Sequence, residues 1–122
     1  MDQNDPVDMF EYHAHIMSPD DSDKHLGDTL NIEVHFESHT GEPIHNINVE
    51  IMKDSDSSIV YSKPHHSHIH EEDGVYHYTD QIVLNDSNGF TGHSNWTLTA
   101  KVWGMAEGEG EASETLNFHV HP

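Results

Sequence analysis

The stretch TLNIEVHFES, Thr29–Ser38, decides the fold. Leu30, Ile32, Val34 and Phe36 fall on every second position, with Asn31, Glu33, His35 and Glu37 between them. That period of two belongs to a strand with one face on a core and one face in water.

The same alternation recurs on both sides. Phe10, Tyr12, Ala14 and Ile16 alternate with Glu11, His13, His15 and Met17, and SPDDSD after them supplies a turn. Beyond the breakers Gly41 and Pro43, INVEIM turns Ile47, Val49 and Ile51 inward, and a short strand follows around Ser58–Ser62. VYHYTDQIVL places Tyr76, Tyr78, Ile82 and Leu84 on one side and His77 on the other. NWTLTAKVW keeps Trp96, Leu98, Ala100 and Val102 in register, and TLNFHVH buries Leu116, Phe118 and Val120 while exposing Asn117, His119 and His121. Seven short alternating strands without a helical period predict an all-β fold, a seven-stranded antiparallel immunoglobulin-like β-sandwich. Residues 1–9 read as a flexible N-terminal tether and 10–122 as one domain, a length that supports a single core.

Charge narrows the function. The chain has 23 acidic residues against four lysines, for a formal charge of -19. Neutralising phosphates needs Lys and Arg, so nucleic acid and anionic membrane surfaces are poor partners and none is expected, whereas cations are favoured. With no cysteine, disulfides, thiolate zinc sites and iron–sulfur clusters are excluded as well. No apolar run reaches the length of a membrane span, so no membrane insertion is expected. MDQNDPVD lacks the basic and apolar regions of a signal peptide. The expectation is a periplasmic, cell-surface or secreted protein whose signal has been removed, with a lipid anchor upstream as one arrangement.

The 14 histidines are spread through the chain at recurring spacings, unlike a tag. Imidazole and carboxylate together suit a borderline divalent transition metal such as zinc or copper. The densest run is PHHSHIHEEDGVYHY, Pro64–Tyr78, with His65, His66, His68 and His70 beside Glu71, Glu72 and Asp73. In a seven-stranded sandwich the loops after the second, fourth and sixth strands share one end. That end would gather His39 and His45, then His65–Asp73, then Met105, Glu107, Glu109 and Glu111, so that a selective site needs the first two loops together. His-x-His pairs occur at His13/His15, His68/His70 and His119/His121. Two residues apart on a strand, such rings stand about 6.5–7 Å from each other and can share a metal at about 2.0–2.1 Å. A solvated strand face is the plainer reading of any isolated pair. Two further groupings are expected: His13, His15, His35 and His77 on the outer face of the first sheet, and His25, His93, His119 and His121 at the opposite end. Met17 shares the face of His13 and His15, and a thioether would favour Cu(I). Calcium is disfavoured, although DDSD and the Glu-rich loop offer oxygens.

GEPIHNINVEI, DGVYHY, GHSNWTLTAKV and ETLNFHVHP, in that order, resemble the YtkA-like and FixH-like extracytoplasmic domains, with their "G-x-P-(x)n-V-x-I", "G-x-Y", "G-x-W-x-L-x-V" and terminal "F-x-V" strands. The likeness runs from about Thr29 to His121, and its motifs are mostly apolar and structural. It implies an exported or membrane-tethered immunoglobulin-like domain linked to handling of copper or other metals, with a metal transporter or metalloenzyme recipient as partner. HAHIMSP, His13–Pro19, bears a weaker likeness to the CopC-type copper carriers. FHVH, Phe118–His121, is similar to the copper-ligand strand of copper–zinc superoxide dismutase, but that family's cysteine pair and active-site arginine are absent. The leading expectation is therefore a protein without enzymatic activity that buffers or delivers zinc or copper. The rival is a structural or adhesive surface module, and a copper- or zinc-dependent enzyme ranks third. Asn85-Asp86-Ser87 and Asn95-Trp96-Thr97 match the N-glycosylation pattern, which is short enough to arise by chance.

Overall fold

The computed structural model describes residues 12–38, 44–65, 75–104 and 110–122, and of His65 the backbone only. Among them the strands are β1 (Tyr12–Ser18), β2 (Lys24–His25), β3 (Thr29–Ser38), β4 (Asn46–Lys53), β5 (Ile59–His65), β6 (Val75–Val83), β7 (Ser94–Trp103) and β8 (Ala112–His121). Ile44 adds a single bridged residue before β4, and Asp86–Asn88 form one turn of 3-10 helix. No helix among the described residues is long and apolar enough to cross a membrane.

The strands make two sheets, in the orders β1-β3-β6 and β2-β8-β7-β4-β5. Every pairing is antiparallel except that of β2 with β8. The sandwich thus has the expected immunoglobulin-like form, but the described residues hold eight strands, nine with the Ile44 bridge, rather than seven. The addition is β2. Its two residues lie just beyond the SPDDSD turn, and the chain passes through that turn from one sheet to the other to lie beside the last strand.

The apolar positions of TLNIEVHFES do what their period demands: Leu30, Ile32, Val34 and Phe36 are all buried. They meet Ile47, Val49 and Ile51 of β4, Trp96, Leu98, Ala100 and Val102 of β7, and Phe118 and Val120 of β8 in one core. Each Val, Leu, Ile or Phe among them contributes about 1.5–3 kcal/mol through removal from water. Phe90, on the β6–β7 connection, packs its ring 4.7 Å from that of Trp96 and closes one end. Gly89 turns the chain into that position with φ of 89°, a left-handed conformation that glycine adopts without strain.

A hydrogen-bonded seam joins β5 of one sheet to β6 of the other. Tyr61 Oη donates to Asp80 Oδ2 at 2.6 Å, and because its one proton is committed there, the short contact between the two phenols has Tyr78 as donor. Burial pushes the Tyr61 phenol well above its ordinary range, while the phenol donor holds the Asp80 carboxyl below its own.

Candidate metal-binding faces

Pairing register fixes the outer face of the three-stranded sheet. With Val34 and Phe36 inward, Glu33, His35 and Glu37 face solvent, and His35 stands opposite His15 of β1 and His77 of β6. One row crossing all three strands is therefore His15, His35 and His77, with strands spaced about 4.8 Å apart. His35 and His77 stack with ring centroids 4.0 Å apart and planes 15° from parallel. His13 and His15 lie nearly parallel at 6.0 Å. Carboxylates flank the row: Glu33 Oε2 is 3.3 Å from His35 Nε2, and Glu37 Oε1 is 4.0 Å from His15 Nε2. A carboxylate accepting one ring N–H leaves the other nitrogen of that ring its lone pair, the form a metal takes.

Met17 sits at the bulge between Ile16 and Ser18, where β1 carries one residue more than its partner, and it is exposed. The sequence alone could not place that extra residue.

A second grouping lies on the outer face of the other sheet. Phe118 and Val120 point inward, so His119 and His121 point out, and the parallel pairing of β2 with β8 sets His25 beside His121. The His25 and His121 rings are 5.3 Å apart, and those of His119 and His121 4.6 Å. His121 Nε2 bonds Asp23 Oδ2 at 3.0 Å, which holds that carboxyl below its usual range, and His119 Nδ1 bonds Asn95 Oδ1 at 2.7 Å. His93 stands nearby with φ of 57°, in a groove shared with Lys53, Asp54 and Asn95, but outside this ring cluster.

At the far end, Asn46 of β4 faces Trp103 of β7 and Ile47 faces His65 of β5, so the strand ends that carry the three expected loops do meet. His39, His66, His68, His70, Glu71, Glu72 and Asp73 lie outside the described residues, as do Met105, Glu107 and Glu109. His45 departs from expectation. It is 7% exposed rather than set on an open loop, because bridged Ile44 and the bond from Asn46 Nδ2 to Gly104 O at 2.6 Å draw the segment into the sandwich.

Several of the DDSD oxygens are already occupied. Lys24 Nζ reaches Asp20 O and Oδ1 at 3.0 and 2.9 Å and Ser22 O and Oγ at 2.6 and 3.0 Å, so an ammonium sits where a hard cation would need its ligands. Of the two sequon asparagines, Asn95 Oδ1 is bound to His119, and Asn85 caps the 3-10 turn through Asn88 N. Among the described residues, no three His, Asp or Glu side chains converge on a common point in metal-ligand geometry. In the row the imidazoles stack, and in the second cluster they meet tilted or edge-on; in both, bringing their nitrogens together takes side-chain rotation.

No family model and no curated protein matches the chain, so neither the YtkA-like and FixH-like nor the CopC-type likeness is shown at family level. Solved structures do match. The chain is similar to the CARDB domain of a Pyrococcus furiosus protein in solution, with TM-score 0.61 and 15% identity over 91% of this chain and 94% of that one. The crystal structure of that domain, in complex with di-metal ions, gives TM-score 0.60 and 12% identity over 98% and 99%. A β-glucosidase from Listeria innocua aligns at TM-score 0.50 and 15% identity over 93% of this chain but 16% of its own. At these identities the likeness is one of fold, and the fold it supports is the immunoglobulin-like β-sandwich of CARDB domains.

Proposed function

We propose that the protein is a non-catalytic immunoglobulin-like module acting outside the cytoplasm, which binds a divalent transition metal such as zinc or copper and buffers it or passes it to a recipient protein. The observation that carries this reading is the cross-strand row His15, His35 and His77, flanked by Glu33 and Glu37 on a rigid sheet. Three imidazoles and two carboxylates in one row match the donors that zinc(II) and copper(II) prefer, and a formal charge of -19 draws cations to the surface. A similar fold from Pyrococcus furiosus was crystallised with di-metal ions, which is a property of that protein and a reason to test this one.

The test is calorimetric titration of metal-free protein with zinc(II), copper(II) and nickel(II) at about pH 7.5 and about pH 5.5, where protons compete for imidazole. Stoichiometric binding at roughly micromolar Kd or tighter is expected, collapsing at the lower pH and losing an equivalent in the H15A/H35A/H77A variant. Non-saturating, millimolar association in the unmodified protein would sink the reading.

The second reading is a structural or adhesive surface module. Its support is the likeness in fold to CARDB domains, together with imidazoles that stack rather than converge. It predicts that no metal binds stoichiometrically.

A further inference from the structure

The cluster on the other sheet holds two of its rings by hydrogen bonds shorter than the one between Glu33 and His35 in the row. Asp23 Oδ2 and Asn95 Oδ1 can only accept, so the ring nitrogens facing them carry the protons: Nε2 in His121 and Nδ1 in His119. That leaves one lone pair on each ring, at His121 Nδ1 and His119 Nε2. A ligating histidine has this form, with its second nitrogen donating to an oxygen that fixes tautomer and ring orientation.

The third ring is anchored through its backbone. His25 N–H donates to Asp28 Oδ2 at 2.9 Å, and His25 O accepts from Asp28 N at 3.0 Å. Beyond it, Leu26 N–H donates to His121 O at 2.9 Å, so β2 is pinned against β8 beside the rings. Gly92 lets the Pro122 backbone pass close by, since a Cβ there would lie 2.9 Å from Pro122 Cα. The cluster therefore rests on backbone held from both sides.

We propose that His25, His119 and His121, whose nitrogens do not converge in this structure, close by side-chain rotation into a second site for a divalent transition metal, with Asp23 and Asn95 as its outer acceptors. The site is independent of the row, because it lies on the opposite outer face of the sandwich. Zinc(II), copper(II) and nickel(II) all suit three neutral imidazoles with an open position for water or a further ligand. Bound metal would tie the two-residue strand β2 to β8 by a link other than backbone hydrogen bonds.

The test uses the full chain with 15N-labelled imidazoles and zinc(II), observed residue by residue. Metal-free protein should show His121 protonated at Nε2 and His119 at Nδ1. Zinc should then perturb His121 Nδ1 and His119 Nε2 together with His25, and should slow amide exchange at Leu26. The H121A variant should lose one zinc equivalent and that added protection, whereas H15A/H35A/H77A should keep both. Asp23→Asn, which leaves the three rings in place, should weaken this step by about 10- to 100-fold. The inference is overturned if zinc leaves these three rings unchanged, or if H121A binds as many equivalents as the unmodified protein. Loss of the row's signals alone would count against the proposed function and leave this site standing.

Discussion

The imidazole of His35 on β3 lies face to face with that of His77 on β6, ring centroids 4.0 Å apart, with the Glu33 carboxylate 3.3 Å from His35 Nε2. The pair bridges two strands on a face that takes no part in the core. H35A and H77A should therefore each lower the affinity of the row for zinc(II) or copper(II) by roughly tenfold or more, while changing stability by no more than about 0.5 kcal/mol. Calorimetry and urea denaturation on the same samples check both halves. A loss of several kcal/mol in stability would show that the pair is structural.

Tyr61 and Asp80 carry the seam between the sheets, so Tyr61→Phe should cost about 1–2 kcal/mol in urea denaturation near neutral pH. The pH dependence has a definite sign. The phenol donor lowers the Asp80 carboxyl below its ordinary value of 3.8, so its contribution is present above that value and fades as pH falls through the lowered one. The Tyr61 phenol is raised from 10.0, so its contribution is present below that value and fades as pH climbs toward the raised one. Y61F should flatten both limbs, and unchanged acid and alkaline limbs would contradict the seam.

Lys24→Met keeps the aliphatic stem and removes the ammonium from the Asp20 and Ser22 oxygens. The Asp20 carboxyl, held well below 3.8 chiefly by that ammonium, should then titrate closer to the ordinary range by NMR. The Leu26 amide should exchange faster, because the turn that leads into β2 loses its central cation. An Asp20 titration that does not move would refute the assignment.

Gly89 has φ of 89°, and a Cβ there would come 2.8 Å from Val60 Cγ1. Gly89→Ala thus combines a disfavoured backbone conformation with a steric contact, and should destabilise by more than about 1 kcal/mol in urea melts. Adding Val60→Ala should relieve the contact and leave the backbone part.

The core could be read from residues 29–38 because alternation is local: Leu30 through Phe36 announce their inward face without reference to a partner. The row across three strands followed from the same alternation once β1 and β6 were set beside β3. What stayed hidden depends on pairing between distant parts of the chain. Lys24 and His25 are a strand only because Val120 and His121 lie beside them. Asp23 and Asn95 become acceptors for His121 and His119 only after folding brings β2, β7 and β8 together. His45 looked like a loop ligand because no local pattern records the pull of Gly104 on Asn46. Nor does spacing announce the seam, since Tyr61 and Asp80 sit on edge strands of different sheets.

The passage of the chain from β1 to β2 has a mechanical consequence. A pull applied through the residues before Tyr12 and after His121 first loads β1 and then reaches β2, which runs parallel to β8. Opposed forces along two parallel strands act as shear, so the contacts between them must yield together rather than unzip one at a time. With only Lys24 and His25 in that pairing, once β1 has parted from β3 the remaining resistance at this point would rest on a few hydrogen bonds and whatever else links His25 to His121.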